Sequence, residues 1–433
     1  MLIDKPMTFF FLLLLVATRA YDFSRVVSIL NRGVSDGVFP GWSVAVTEQS
    51  RTLYARAGGN FTYASDAAPV KLSTMFDMAS CTKVVATTSA VARLYQRGLL
   101  SLDAPVSAYL GAAFGAHGKG AITVRNCLLH NAGFKPDPVP FWNVPSFGCA
   151  ESSRAHPQLS FSCMPRVLAS VLNQTLDHAP GAVYVYSDLS FVTLMFVVGQ
   201  VVRQNRLVAS GLLLPQCDLS DDANALQCYY EAFVRTDVLV GLGLGGGGSS
   251  SGFLPLASLA PRCAPTMNDT VYRHAVVQGQ VQDQNAYAMG GVAGHAGLFS
   301  TAKDMVVVMQ QLLGAGATAY LNATTVQLFT REHNQTQSSR ALGWNTNDPA
   351  AFDAGWNCSC GTLSPRSFMH LGYTGTMLCG DPDRQIGLVL LTNRVWPDDA
   401  RNSQIGAVRR AVGRAVQLAL DAIDGPRPMA QCH

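Results

Sequence analysis

Apolar and polar residues alternate with two different periods along the chain, and each period predicts its own kind of element. Apolar residues recur at helical spacing over residues 23–32, 83–98 and 403–423, and each stretch predicts an amphipathic helix, the last with its arginines on the outer face. Alternation and β-branched residues predict a strand at 42–47, and we expect 53–57 to be its hairpin partner.

Two more strands are predicted late in the chain, over residues 370–376 and 385–393. Strands near both ends with helices between them predict one sheet built from the two termini, with a helical insert. The apolar stretch 189–202 is too short to span a bilayer and predicts a buried helix. Segments 136–157 and 241–252 are rich in Pro, Gly or Ser and predict long loops, the second one mobile.

Composition sets the class of protein. A chain of 433 residues with 48% hydrophobic and 14% charged residues can bury a large core, and its length suggests two or three structural units. The net charge is only +3, with no basic run and no interleaving of aromatic and basic residues. This pattern excludes nucleic acid as a partner.

The first 20 residues predict a secretory signal peptide, which leaves residues 21–433 as the mature chain. Lys5 supplies a weak positive end, 9–17 form a short apolar block, and 18–20 offer a small-residue cleavage site. The block has about half the length that spans a bilayer. An uncleaved membrane anchor is the alternative, because Asp4 weakens the charge bias.

Six glycosylation sequons and eleven cysteines agree with a secretory route. The sequons begin at Asn60, Asn173, Asn268, Asn322, Asn334 and Asn357. The favoured disulfides flank polar loops and join Cys217 to Cys228 and Cys149 to Cys163. An odd number of cysteines leaves at least one free or paired between chains, and we expect Cys81 to be a free thiol.

The run from Phe76 to Lys83 carries the candidate chemistry. A serine and a lysine three residues apart, Ser80 and Lys83, put a hydroxyl and an amine on one face of a helix. A desolvated lysine can take the serine proton, and a helix start favours developing negative charge. Such a pair can transfer acyl groups without a histidine–carboxylate relay. Single S-x-x-K matches also arise by chance on solvated helices. The other motifs of the chain therefore decide whether this pair is catalytic.

Four further motifs follow in a fixed order. The five segments are 74–83, 122–133, 180–191, 290–301 and 370–376. Through them the chain resembles the serine β-lactamase and penicillin-binding-protein superfamily, in particular its β-lactamase-related branch of class C-like esterases and D-amino-acid peptidases. The resemblance extends from about residue 38 to residue 395.

This resemblance implies an α/β (α+β) sandwich of the β-lactamase/DD-peptidase type, with an antiparallel sheet flanked by helices. The sheet would come from residues 21–84 and 281–433, and residues 85–280 would form a helical subdomain. The active site would lie between the two parts, without a metal or an organic cofactor. Residues 210–230 resemble an insertion, for which a surface loop is favoured over a substrate-facing lid.

The resemblance also implies roles for single residues. Ser80 would be the nucleophile, and Lys83 its proton acceptor or the cation that lowers a neighbour's pKa. Tyr186 would relay the proton to the leaving group. His130 and His295 would at most support the site from behind.

The late strand would complete the site. His370 would contact a substrate carboxylate or hydroxyl, and Gly372 would let the substrate backbone approach closely. The backbone N–H of Tyr373 would join that of Ser80 as the oxyanion hole.

Two residues depart from the family's pattern. His370 stands where efficient β-lactamases carry lysine, and a neutral histidine holds a carboxylate less firmly. Asp188 stands where class C enzymes have asparagine, and a carboxylate there would raise the pKa of Lys83. We therefore expect Tyr186 to do more of the proton transfer and Lys83 to act chiefly as a cation.

The sequence predicts a secreted or endomembrane serine hydrolase that acts through an acyl-enzyme on a small-molecule or peptide ester or amide. An esterase-like role is favoured over D-amino-acid peptidase activity. The alternatives are a non-catalytic binding or assembly protein that keeps the fold, and a weak β-lactamase. Intact Ser80, Lys83, Tyr186 and Gly372 favour an enzyme.

Overall fold

The computed structural model describes residues 21–149, 161–245, 249–314, 320–348, 358–400, 404–427 and 429–430. Its α-helices are α1 Ser24–Ser35, α2 Ser89–Gln96, α3 Ser107–Leu110, α4 Val124–Leu128, α5 Met164–Asn173, α6 Asp188–Gln204, α7 Asp222–Phe233, α8 Gln284–Ala288, α9 Ala302–Leu312, α10 Ala323–Thr330 and α11 Ile405–Asp424. Its strands are β1 Gly41–Glu48, β2 Arg51–Gly59, β3 Phe76–Asp77, β4 Gly252–Phe253, β5 Met267–Asp269, β6 Ala275–Val277, β7 Leu298–Ser300, β8 Asn345–Thr346, β9 Phe368–Leu371, β10 Met377–Asp381 and β11 Ile386–Thr392.

The two ends of the chain meet in one six-stranded antiparallel sheet, as the sequence predicted. Its strand order is β2-β1-β11-β10-β9-β8, and Val44 of β1 pairs with Leu390 of β11. Neighbouring residues of a strand face opposite sides of a sheet. Val44 and Val46 accordingly pack in the cluster formed with α1 and α11, whereas Ala45 packs in the larger cluster that includes α9. Both faces are covered by helices, which confirms the predicted α/β sandwich.

Most of the regular elements described between the terminal strands are helices. Helix α6 is buried along almost its whole length, which confirms the expected buried helix at 189–202. It crosses α7 at Gly199, where a Cβ atom would lie 2.0 Å from the carbonyl oxygen of Leu226. A second, three-stranded sheet has the order β3-β7-β4, so β4 from the low-complexity stretch joins β7 beside the first motif.

Some sequence expectations need correction. The surface loop favoured for 210–230 is wrong in its second half, because α7 begins at Asp222 and is largely buried. The mobile loop expected at 241–252 includes helical residues 241–244 and the strand residue Gly252, while 246–248 lie outside the described residues. The predicted strand at 370–376 ends at Leu371.

Other elements differ less from the boundaries predicted for them. Helix 83–98 begins with a π-helical turn, Lys83–Thr88, and ends at Gln96. The loop predicted at 136–157 is irregular up to 149 apart from one short turn, and its remainder lies outside the described residues. None of the helices in the described part of the chain has the length and apolarity needed to cross a bilayer.

Disulfides join Cys149 to Cys163 and Cys217 to Cys228, as predicted. A third, between Cys360 and Cys379, was not foreseen. Three cysteines of the described residues are free and buried: Cys81, Cys127 and Cys263. Cys81 is therefore one of the free thiols, as expected.

Candidate active site

Ser80 lies in a tight turn between β3 and the π-helical turn. Ala79 has a positive φ of 46°, and its N–H donates to Asp77 Oδ1 at 2.8 Å. The hydroxyl of Thr374 donates to the carbonyl of Asp77 at 2.7 Å, and that of Thr376 donates to the carbonyl of Met78 at 3.0 Å. These two threonines belong to the turn that follows β9. Their hydrogen bonds therefore fix the backbone just before Ser80.

Lys83 is completely buried, and three oxygen atoms surround its amine. Nζ lies 3.0 Å from Ser80 Oγ, 3.0 Å from the carbonyl oxygen of His295 and 2.7 Å from Asp188 Oδ1. An ammonium has three N–H donors, one for each of these acceptors. Burial disfavours the charge, but Asp188 and Tyr186 outweigh it and raise the pKa of Lys83. Lys83 is therefore an ammonium in the resting site.

Tyr186 lies directly beside this pair. Its ring centroid is 5.0 Å from Lys83 Nζ, 4.5 Å from the ring of His130 and 6.3 Å from the ring of His370. Burial raises the pKa of Tyr186, and the Lys83 ammonium lowers it. The Asp188 carboxylate raises it again, so the pKa remains above its ordinary value. The resting tyrosine is thus a neutral phenol.

The start of α6 positions Tyr186 and Asp188. The N–H of Ser187 donates to His130 Nδ1 at 3.0 Å, and the N–H of Asp188 donates to the carbonyl of Pro136 at 2.8 Å. His130 is fully buried, and burial holds its pKa well below the ordinary range. It serves as a neutral acceptor behind the tyrosine.

His295 supports the site from the other side. Its carbonyl accepts from Lys83, and its Nε2 lies 3.1 Å from Asp283 Oδ1. Burial opposes charge on this ring, but Asp283 raises its pKa. Asp188, Asp283 and His295 offer ligand atoms within 4.8 Å of one another, yet the Lys83 ammonium already contacts Asp188. We assign no metal to this cluster.

From the sequence, Gly372 was expected to let the substrate backbone approach closely. The structure gives another reason for a glycine here, the packing of the turn after β9. A Cβ atom at this position would lie 1.9 Å from Thr376 Oγ1 and 2.7 Å from the carbonyl oxygen of Met78. The glycine is therefore required by close approach within the chain itself, at the turn that carries Ser80. Tyr373, the next residue, is 42% exposed, and its hydroxyl donates to Asp399.

A cavity of about 160 Å³ opens beside Ser80. It is lined by Ser80, Tyr186, Arg340, Asn345, Met369, His370, Leu371, Gly372, Tyr373, Arg394 and Arg409. It thus brings together five of the seven predicted site residues: Ser80, Tyr186, His370, Gly372 and Tyr373. The other two, Lys83 and Asp188, lie behind Ser80 and Tyr186 and contact each other.

Three arginines of the cavity wall were not foreseen. Arg340 is 5% exposed, and its Nη2 donates to the hydroxyl of Tyr184 at 2.8 Å. Arg409 donates from Nη2 to the carbonyls of Gly372 and Thr376 at 2.7 and 2.9 Å. Burial and then the like charge of Arg394 lower the pKa of Arg409 to about 9. No Asp or Glu stands among the described residues that line the cavity, so its wall favours an anion.

Arg409 also corrects a sequence expectation. The arginines of the last helix were placed on its outer face, but Arg409 is 5% exposed and points into the fold. The only sequence signal was its position among the apolar residues of α11. Arg340 and Arg394 lie outside regular helices and strands, where periodicity gives no information.

Known proteins match this chain over most of its length. A family model described as Beta-lactamase matches residues 26–412. Two curated relatives, provisionally described as D-alanyl-D-alanine carboxypeptidases, come from Escherichia coli O157:H7 and Escherichia coli strain K12. Each is 28% identical, and the alignments cover 83% and 84% of this chain and 79% and 81% of the relatives.

Solved structures share the fold. A class C beta lactamase from Rhodobacter sphaeroides has a TM-score of 0.62 at 18% identity, covering 91% of this chain and 99% of that one. A hydrolase with promiscuous acyltransferase activity has a TM-score of 0.63 at 20% identity, covering 90% and 98%. The family model spans well over half of the residues, and the protein therefore belongs to the beta-lactamase family of serine hydrolases.

Proposed function

We propose that the protein hydrolyses an ester or amide through an acyl-enzyme formed on Ser80. The observation that carries this proposal is the 3.0 Å contact between Lys83 Nζ and Ser80 Oγ, with Tyr186 beside both. A buried ammonium next to a hydroxyl and a phenol favours the anionic form of either oxygen during reaction.

The proposed proton path uses Tyr186 as the base. The phenol first loses its proton to solvent, which makes the phenolate the minor, reactive form. The phenolate takes the proton of Ser80, and Oγ then attacks the substrate carbonyl carbon. The backbone N–H groups of Ser80 and Tyr373 stabilise the resulting oxyanion. The phenol returns the proton to the leaving group as the carbonyl–leaving-group bond breaks, and water releases the acyl group by the same path in reverse. Lys83 stays charged throughout.

The cavity arginines influence the choice of substrate. A neutral His370 binds a carboxylate weakly, which favoured esters in the sequence argument. Arg340 and Arg409 supply the missing positive charge in the same cavity. The curated relatives carry the description of D-alanyl-D-alanine carboxypeptidases. We therefore place amides that carry a carboxylate, such as peptides ending in a D-amino acid, ahead of simple esters.

We also propose that the protein acts in the secretory pathway or outside the cell. Three disulfides among the described residues support this location, because such bonds persist in oxidising compartments.

Burst kinetics with an activated p-nitrophenyl ester test the acyl-enzyme. We expect about one equivalent of nitrophenol per enzyme in the burst, since acylation of one serine precedes slower hydrolysis. Ser80→Ala should lose the burst, whereas Ser107→Ala, a partly exposed serine on α3, should keep it. A folded wild-type protein with no burst and no turnover of D- or L-terminated peptides would favour the non-catalytic alternative.

A further inference from the structure

A second cleft lies between the first and the last helix, on the other side of the main sheet from Ser80. Helices α1 and α11 pack against each other on the face that carries the smaller hydrophobic cluster. Tyr21, just before α1, donates from its hydroxyl to Asp424 at the end of α11 at 3.2 Å, so the two helices run antiparallel. The cleft has a volume of about 670 Å³, and the described residues that line it are not those that line the cavity at Ser80. The proposed reaction therefore does not account for it.

Four exposed arginines line this space, which we call the arginine cleft. Arg25 and Arg32 come from α1, and Arg410 and Arg414 come from α11. Among the described residues of the lining, Asp36 is the only acid. At 1.5 Å per residue, the two arginines of α1 are about 10 Å apart along the helix axis, and those of α11 are about 6 Å apart. Positive charge is thus spread along both walls of the cleft.

The four guanidinium groups have no hydrogen bond or ion pair within the described part of the chain. Other surface arginines are paired: Arg125 lies 2.6 Å from the Asp103 carboxylate, and Arg203 lies 2.8 Å from that of Asp222. Like charges that share one cleft repel each other, and an anion bound between them relieves this repulsion. The arginine cleft therefore favours a negatively charged ligand.

The floor of the arginine cleft narrows the choice of ligand. Half-buried Ile29 and Val408 and buried Val38 and Ala415 contribute apolar surface between the arginines. None of the large apolar side chains that are exposed in the described residues lines the cleft, so a membrane would find charge there without side chains that insert into it. A linear sugar chain fits better, because its rings offer C–H faces to the floor while its anionic groups reach both walls.

We propose that the arginine cleft binds a sulfated polysaccharide and so holds the protein at a cell surface or matrix while the cavity at Ser80 stays open. A guanidinium presents a planar fork of N–H donors to two oxygens of one oxyanion, and a sulfate group offers the same tetrahedral oxygens as a phosphate. The choice of a polysaccharide rests on the proposed location in the secretory pathway or outside the cell. It does not rest on the acyl-enzyme.

Binding to immobilised heparin tests the proposal, with chemically desulfated heparin as the matched probe that keeps the sugar chain and its carboxylates. We expect the wild type to bind heparin, to bind the desulfated chain about tenfold more weakly or less, and to be released by salt. The double variant Arg410→Gln/Arg414→Gln should bind heparin about tenfold more weakly, since two charged contacts are lost.

The matched control is Arg166→Gln/Arg331→Gln, which removes two exposed arginines outside the cleft and should bind heparin like the wild type. Arg166 lies on α5 and Arg331 follows α10, and both helices pack in the larger hydrophobic cluster. Equal melting temperatures show that the variants fold. If the α11 variant does not fold, Arg25→Gln/Arg32→Gln removes the same charge from the opposite wall and should give the same loss.

Three results would overturn the proposal: no binding of heparin by the wild type, equal binding by the cleft variant and the control, or equal binding of the desulfated chain. Vesicles of phosphatidylserine and phosphatidylcholine are the remaining probe. Stronger binding to these vesicles than to heparin, lost in the cleft variant, would assign the cleft to a membrane and refute the polysaccharide. Failure of Ser80 to label with a fluorophosphonate, with heparin binding intact, would refute the acyl-enzyme and leave the arginine cleft standing.

Discussion

At the scale of single residues, Asp188 distinguishes this site most clearly. Its carboxylate lies 2.7 Å from Lys83 Nζ and raises the pKa values of both Lys83 and Tyr186. A phenol whose pKa is raised above its ordinary value is mostly protonated at neutral pH. Because the phenolate is the proposed base, the acylation rate should rise as the pH increases from neutral into the alkaline range.

Asp188→Asn tests this dependence. Loss of the carboxylate lowers the pKa of the phenol, so more phenolate is present at a given pH. We expect the profile of kcat/KM against pH to move to lower pH, with a several-fold higher value at pH 7. Asp283→Asn, which removes a carboxylate paired with His295, is the matched control and should move the profile less. A higher turnover with an unchanged profile would contradict the role given to Tyr186.

At the scale of elements, the crossing of α6 and α7 supports the site. Helix α6 begins at Asp188, two residues after Tyr186, so the packing of this helix sets the position of both side chains. The helices approach so closely at Gly199 that a Cβ atom there would meet the backbone of Leu226 at 2.0 Å. Backbone atoms cannot move aside as a flexible side chain can.

Gly199→Ala should therefore lower the free energy of unfolding by roughly 1–3 kcal/mol, the range of overpacking in well-packed cores. Gly406→Ala is the matched control, because its Cβ would meet nothing closer than Arg410 Nη1 at 3.6 Å. Alanine there should be neutral or stabilise the helix by up to about 1 kcal/mol. Urea unfolding of both variants measures the difference, and equal stability would show that the helices can separate at little cost.

At the scale of the whole molecule, the surface agrees with a glycoprotein. Four of the sequon asparagines are exposed: Asn173, Asn268, Asn322 and Asn334. Asn60 is half-buried, and Asn357 lies outside the described residues. With disulfides in both the helical part and the main sheet, this pattern supports passage through the secretory pathway.

Expression of the full chain in a eukaryotic secretory host tests the location. We expect the protein to reach the medium with N-glycans on at least the exposed sequons. Release by a glycosidase in ¹⁸O water, followed by peptide mapping, marks each modified asparagine. An intracellular protein with unmodified sequons and reduced Cys360 and Cys379 would contradict the proposed location.

Much of this architecture could be predicted from local patterns. β1 and β11 carry apolar residues that match burial on both faces, and Ser80 and Lys83 are close in sequence as well as in space. The cavity arginines could not be predicted, since Arg340, Arg394 and Arg409 meet only through long-range packing. The need for a glycine at position 372 could not be predicted either, because it arises from close contacts with Met78 and Thr376 in the folded chain.

Covalent labelling shows whether Ser80 is an activated nucleophile. The mature protein is exposed to a fluorophosphonate probe, and its intact mass and peptide map are compared with those of Ser80→Ala. We expect a single adduct on the peptide that carries Ser80 and none in the variant. A folded wild-type protein that gains no adduct, or gains it at another residue, would contradict a nucleophilic role for Ser80.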